Sequence, residues 1–272
     1  LVGSEMCIRD RRVNYEAANI LPDRDFDLYF SATPDPFGVS VLSYKPAGED
    51  GFFLLLASPA EPSAKPAVIE RDIVFVLETS GSMQGDKFRQ AQEAVKFVLD
   101  HLNPGDRFNI VDFSSDVRSY ADRLVPATQA ADAKRYVAER SARGGTDINR
   151  ALLQALDSLG DSSRPQVVIF LTDGLPTNGV TDVNKIIANV AQAAGAKIRI
   201  FTFGVGYDVN TILLDAIAQE HRGASVYIQP NENIEAKVSD FYAKISAPVL
   251  VNPQLDFGAL KVQEVYPYPL PD

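Results

Sequence analysis

The chain has 272 residues, enough for one sizeable hydrophobic core and one or two smaller pieces. Hydrophobic residues at 46% and charged residues at 23% are ordinary globular values and argue against wholesale disorder. The formal net charge of -10 argues against a nucleic-acid or anionic-membrane binder, since both need clustered Lys and Arg.

In chain order, the first segment is the oddest. Residues 1–12, "LVGSEMCIRDRR", begin without Met and have neither an apolar signal core nor a helical or strand period. They read as a non-native or disordered end, and the chain as a fragment of something longer. Cys7 is the lone cysteine and cannot close an intrachain disulfide, so cysteine usage leaves the compartment open. Three β-like runs follow at 25–32, 37–46 and 51–59, punctuated by Pro and Gly. Their spacing is too short for crossover helices, so they read as an antiparallel meander. The most apolar of them, "GFFLLLA" (51–57), is strand-sized. It falls far short of the roughly 20 apolar residues of a membrane-spanning helix. A stiff Pro/Ala-rich linker, "PAEPSAKPA" (59–67), marks a domain boundary.

From Ile69 the rhythm changes to strand, helix, strand, helix. "DIVFVL" (72–77) and "QVVIFLT" (166–172) are continuous apolar runs of the kind that strands covered on both faces need. Between and after them, Phe88, Ala91, Val95, Val98, Leu99 and Leu102 recur at helical spacing, and "RFNIVDF" (107–113) reads as a strand. Helices are expected at 128–140, 148–159, 183–194, 210–220 and 234–245, with further strands at 197–206 and 225–229. Alternation of this kind forces right-handed crossovers and a mainly parallel sheet with helices on both faces. The expected fold class is therefore α/β, a doubly wound domain over about residues 68–246. Past Pro248 the pattern reverts to β in 248–260 and 261–268, and these strands are expected to join the N-terminal meander in a small β-rich lobe.

Ligands of an open α/β sheet gather outside the carboxyl ends of its strands, near the switch in strand order. Three polar loops compete for that edge: "ETSGS" (78–82), "RGGTDIN" (143–149) and "LTDG" (171–174). Each has an innocent explanation, since Thr146 or Asp147 can cap a helix at Ile148, Ser82 can cap the helix near Lys87, and Asp173-Gly174 can be a turn. Their joint occurrence suggests a hard-cation site. Ser80 and Ser82 are two apart on a tight loop, so both hydroxyls can face one point. Thr146 supplies a third hydroxyl, and Gly144 and Gly145 allow close approach. Glu78 and Asp173 stand behind as carboxylates that accept hydrogen bonds from bound waters and hydroxyls. Neutral hydroxyl ligands leave the ion electropositive, with a position open for an Asp or Glu of a partner.

The stretches "DIVFVLETSGSM", "GGTDI" and "FLTDG" resemble the von Willebrand factor type A domain with its metal-ion-dependent adhesion site. The resemblance matches Ser80, Ser82 and Thr146 to the family's hydroxyl ligands and Asp173 to its later carboxylate. Glu78 stands where the family has Asp. "GVTDVNKIIANV" (179–190), "VGYDVNTILLDAIAQEHRG" (205–223) and "FYAKISAPVLVNPQLDF" (241–257) narrow the likeness to the inter-alpha-trypsin inhibitor heavy chain subgroup. In that subgroup an all-β VIT domain precedes the A domain, which assigns residues 13–67 to the end of a VIT-like domain plus linker, 68–246 to the A domain and 247–272 to the start of a further β region. The resemblance implies a non-enzymatic adhesion module of an exported protein, acting at the cell envelope or beyond. Its cofactor would be a divalent cation (Mg²⁺, Mn²⁺ or Ca²⁺) and its partner a protein or matrix-like macromolecule that offers an acidic side chain.

Two other readings stay in view. Glu78 is one methylene longer than Asp, so it either reaches the cation or crowds Ser80 and Ser82. The first outcome weakens the site and moves its preference from Mg²⁺ toward a larger ion, and the second leaves a metal-independent interaction module. A Mg²⁺-dependent hydrolase using Asp173 is the more remote alternative, because no phosphate cradle or general base accompanies it. His101 and His221 lie away from the three loops, "TSGSM" is not a G-x-S-x-G elbow, and "GVGYDVN" (204–210) lacks the three-glycine dinucleotide spacing.

Overall fold

The computed structural model describes residues 37–59, 69–195, 197–245 and 255–266. The chain divides into two compact units, one ending at Glu61 and the other starting at Pro62. In the first unit, β1 (Phe37–Tyr44) and β2 (Phe52–Pro59) form an antiparallel hairpin with Phe37 opposite Pro59 and Tyr44 opposite Phe52. These are the second and third runs of the expected meander; the first, 25–32, lies outside the described residues. Tyr44 and Phe52 are each 70% exposed, as expected of a two-stranded ribbon that cannot enclose a core alone.

The second unit holds β3 (Asp72–Glu78), α1 (Asp86–Asp100), β4 (Arg107–Phe113), β5 (Val117–Ser119), β6 (Val125–Pro126), α2 (Ala130–Ala138), α3 (Ile148–Leu159), β7 (Gln166–Thr172), α4 (Val183–Ala193), β8 (Ile198–Val205), α5 (Thr211–Glu220), β9 (Ser225–Ile228) and α6 (Ile234–Ile245). The sheet runs β5-β4-β3-β7-β8-β9, and every pairing from β4 to β9 is parallel. The short β5 and β6 both pair antiparallel with β4 and extend the edge. They escape a sequence reading because two or three residues are too few to show alternation.

Every residue of β3 and of β7 is buried, because each strand is covered on both faces. Successive side chains point to opposite sides and build two cores. Ile73, Phe75 and Leu77 pack with Phe88, Ala91, Val95 and Val98 of α1 and with Val238 and Tyr242 of α6. Val74, Val76 and Phe170 pack with Leu152 and Ala155 of α3, Ile186 and Val190 of α4, and Leu213 and Ile217 of α5. The chain leaves β3 toward β4 on one side of the sheet and returns to β7 on the other. The switch in strand order therefore falls between β3 and β7, and a crevice opens at their carboxyl ends.

The expectation of strand across 248–268 is corrected over the residues that are described. Residues 255–266 carry turn and irregular backbone and no strand. Local groups hold this shape: Gly258 N–H donates to Asp256 Oδ1 at 2.8 Å, and Leu260 N–H donates to the Phe257 carbonyl at 3.1 Å. A side chain that satisfies the backbone two residues on competes with a sheet ladder.

Candidate functional site

The crevice brings the three loops together. Leaving β3, Thr79 is tied to the end of β4, since its N–H and its hydroxyl both donate to the Phe113 carbonyl, at 2.7 and 3.0 Å. The loop before α3 then lies alongside: Arg143 N–H donates to the Thr79 carbonyl at 2.7 Å, and Gly81 N–H donates to the Gly144 carbonyl at 3.0 Å. Gly145 N–H donates to Ser115 Oγ at 2.8 Å and fixes the same loop from the other side. A side chain at 145 would meet Asn178 Oδ1 at 2.2 Å and Thr177 Oγ1 at 2.9 Å, so it would have to push aside the Thr177 side chain that holds Thr146. The loop after β7 grips Thr146, whose N–H donates to Thr177 Oγ1 at 2.9 Å and whose carbonyl accepts from Thr177 N–H and Asn178 N–H.

Five oxygen-bearing side chains converge as a result. Ser80 and Ser82 hydroxyls are 2.8 Å apart, and Ser82 donates to Asp173 Oδ1 at 2.7 Å. Thr146 donates to Glu78 Oε1 at 2.8 Å. Glu78 Oε2 accepts from Thr172 Oγ1 and from Asp173 N–H, the latter at 3.1 Å. Glu78, Ser80, Thr146 and Asp173 are buried, while Ser82 is exposed at the mouth.

These contacts bear on the innocent readings of the three loops one by one. Asp147 is indeed the cap of α3, accepting from Arg150 N–H at 3.1 Å, which frees the Thr146 hydroxyl for Glu78. Ser82 caps nothing, since the N-cap of α1 is Gly85, with no side-chain bond. The Asp173 carboxylate turns inward and is itself fully buried. All five sequence-derived residues thus meet at one place. Sequence reasoning missed Thr172, hidden as the last residue of an apolar strand, and Thr177 and Ser115, which act on backbone groups. It also missed Lys87 on the first turn of α1, whose ammonium donates to Asp173 Oδ2 at 2.6 Å and to the Ser82 carbonyl at 3.3 Å.

Burial pushes the Glu78 carboxyl above its ordinary value, and the nearby Asp173 charge adds to that push. The hydroxyls of Ser80, Thr172 and Thr146 act in the opposite direction by favouring the charged form.

The oxygen set fits a hard cation. Ligands about 2.1 Å from one octahedral ion stand about 3 Å from each other, and the Ser80–Ser82–Asp173 chain of contacts has that spacing. The position also attracts positive charge, as the Lys87 ammonium demonstrates. Among the described residues no group of three or more His, Cys, Asp or Glu stands together, so any ion here rests mainly on hydroxyls. His101 is occupied elsewhere, stacked on Phe97 with ring centroids 3.9 Å apart.

The sequence matches the family model of the von Willebrand factor type A domain over residues 72–242, from the first residue of β3 into α6. The chain belongs to the von Willebrand factor type A family. Within it, this A domain is related to the inter-alpha-trypsin inhibitor heavy chains. It is 36% identical over 226 residues to heavy chain H2 of Mus musculus, covering 79% of this chain and 24% of that protein. It is 32% identical over 227 residues to heavy chain H4 of Homo sapiens, covering 80% and 24%. The chain therefore spans about a quarter of the length of these relatives. Among solved structures it resembles the von Willebrand factor type A protein from Catenulispora acidiphila, with a TM-score of 0.61, 24% identity and coverage of 78% and 49%. It also resembles proximal thread matrix protein 1 from the mussel byssus with a zinc-occupied MIDAS motif, with a TM-score of 0.53, 21% identity and coverage of 66% and 46%. These likenesses establish the A-domain fold and place the chain in a family of protein-interaction modules. Among the described residues no helix is long and apolar enough to cross a membrane.

Proposed function

We propose that this A domain binds a macromolecular partner through a divalent cation held by Ser80, Ser82 and Thr146, with Asp173 and Glu78 behind them. The observation that carries the reading is the Ser80–Ser82–Asp173 chain of contacts, joined at Glu78 by the Thr146 hydroxyl from a separate loop. Such a set supplies neutral ligands close to the ion and leaves a face at Ser82 open to solvent, where an acidic side chain of the partner completes the shell. The ion orients that carboxylate, while the protein carries out no chemistry on it. Both carboxylates of the constellation are engaged by protein donors, Glu78 by Thr146, Thr172 and Asp173 N–H and Asp173 by Ser82 and Lys87, and this favours binding over general-base hydrolysis. The zinc-occupied motif of the mussel protein and the kinship with the heavy chains support the same reading.

In this reading the domain belongs to an exported protein acting at the envelope or outside the cell, with residues 13–67 completing a VIT-like domain and 247–272 opening a further region. Glu78 moves the ion preference from Mg²⁺ toward Mn²⁺ or Ca²⁺, which accept longer and less regular bonds. One observation favours the metal-independent alternative: both Glu78 oxygens already accept bonds from protein donors.

Calorimetric titration with Mn²⁺ and Ca²⁺ separates the two. Thr146→Ala removes a ligand and one of the donors to Glu78, a loss of about 1–2 kcal/mol in stability that leaves the sheet intact. Cation affinity is expected to fall at least about tenfold while the circular dichroism spectrum stays that of the parent. Partner binding that persists unchanged in excess EDTA would select the metal-independent module.

A further inference from the structure

Lys87 is the one cation in direct contact with the site's carboxylates among the described residues, and the cation reading assigns it no part. Its ammonium lies 2.6 Å from Asp173 Oδ2 while the other oxygen of the same carboxylate accepts from Ser82. The Ser82 carbonyl, 3.3 Å away, gives the ammonium a second acceptor on the very loop that carries the hydroxyl ligands. The side chain is held rather than waving: it starts from the first turn of α1 and passes beside Gly206, where an added Cβ would touch Nζ at 3.9 Å. It also remains 39% exposed, so water and solutes reach it. Two buried carboxylates, Glu78 and Asp173, are thus answered by one fixed positive charge that the protein supplies itself.

We infer that Lys87 is a built-in competitor of the divalent cation: its ammonium and the metal ion draw on the same Asp173 carboxylate, so Lys87 sets how tightly the site holds metal. The inference rests on the cation site proposed above. An ion seated on the Ser80 and Ser82 hydroxyls would stand one carboxylate away from the ammonium. A divalent ion and the ammonium on either side of one carboxylate repel by a factor on the order of ten in affinity even at the dielectric constant of bulk water. The Ser82 carbonyl bond pulls in the same direction, because it keeps the ammonium at the loop instead of letting it swing into solvent. The consequence is a site tuned to weak, reversible loading, in which neutralising Lys87 by substitution or by acylation of its amine turns the A domain into a tight cation binder.

The test compares the parent protein with Lys87→Met, which keeps the length of the side chain and removes its charge, and with Lys87→Arg, which keeps the charge. Mn²⁺ titration by calorimetry is expected to show Lys87→Met binding at least tenfold tighter than the parent, and Lys87→Arg within about threefold of it. Thermal unfolding gives an independent reading. In EDTA, Lys87→Met should melt a few degrees below the parent, because Glu78 and Asp173 lose their counter-charge, and saturating Mn²⁺ should narrow or close that gap. Equal or weaker Mn²⁺ binding by a folded Lys87→Met overturns the inference and leaves the cation site standing. Tightening by Lys87→Arg to the same extent also overturns it, since charge is then not the cause. If parent and Lys87→Met are both folded and neither binds Mn²⁺ or Ca²⁺, the cation site itself fails and the inference falls with it.

Discussion

Glu78→Ala is expected to abolish cation binding and to cost roughly 2–4 kcal/mol of stability at once. The carboxylate is fully buried and is the common acceptor of three donors from two other segments: Thr146 Oγ1, Thr172 Oγ1 and Asp173 N–H. Truncation leaves all three facing a small void, and each unpaired buried donor costs about 1–3 kcal/mol. Removing a buried carboxylate returns part of that loss, because burial already disfavours its charged form. Glu78→Gln separates hydrogen bonding from charge. It retains one acceptor but turns an amide donor toward other donors, so stability should fall between parent and alanine variant, with the cation still lost. Glu78→Asp shortens the stem by about 1.5 Å and should raise Mg²⁺ affinity above that of the parent. Urea unfolding and calorimetry on the three variants provide the check. Glu78→Ala within 1 kcal/mol of the parent and still binding cation would show that Glu78 does not organise the site; equal Mg²⁺ affinity in parent and Glu78→Asp would remove the claim about ion preference.

Gly223→Ala is expected to be the most damaging single methyl in the domain, costing upwards of about 3 kcal/mol. The segment between α5 and β9 is laced to β8, with Ile200 N–H donating to the His221 carbonyl at 3.3 Å and Thr202 N–H to the Ala224 carbonyl at 3.1 Å. Gly223 lies between these bonds, and a Cβ there would sit 1.7 Å from the Ile200 carbonyl oxygen and 2.5 Å from its carbon. The obstacle is backbone in the interior of the sheet, so no side-chain rotation relieves it. The strand must move, and β8 is paired on both edges, with β7 and β9. Gly195→Ala is the control: like Gly223 it does not have a positive φ, and the added methyl would meet only Ile198 Cδ1, at an ordinary contact distance of 3.9 Å. That variant should change stability by less than about 1 kcal/mol. Melting temperatures of the two variants within a few degrees of each other would contradict the clash.

The agreement between sequence and structure is uneven for physical reasons. β7 matches the run 166–172 residue for residue and β3 extends its run by Glu78 alone, because a strand buried on both faces is apolar almost throughout and says so locally; β4 also matches 107–113, although it carries Asn109 and Asp112 inside its buried run. α3 and α6 were equally plain from their periodic apolar faces. β5 and β6 owe their conformation to the exposed edge of β4 and carry no pattern of their own. Residues 255–266 show the converse: a β-like composition without a strand partner, in which Asp256 satisfies the backbone locally.

At the site the same division holds. Ser80, Ser82, Thr146, Asp173 and Glu78 could be named from the sequence because each sits in a short polar loop directly after an apolar strand or before a helix, and the chemistry of hard cations asks for that set of oxygens. Which oxygen meets which could not be read there. Thr172 shares an apolar run with Phe170 and Leu171 and becomes a donor to Glu78 only because β7 lies in register beside β3, setting Leu171 opposite Leu77 and the end of one strand against the end of the other. Lys87 looks like any solvated lysine on a helix until α1, packed by Phe88 and Ala91 against the sheet, swings its ammonium over Asp173, 86 residues further along the chain. The kinds of group at the site are dictated by composition within each loop, whereas the charge balance among them depends on distances that exist only after the sheet has closed, since Coulomb and hydrogen-bond energies follow separation in space and not along the chain.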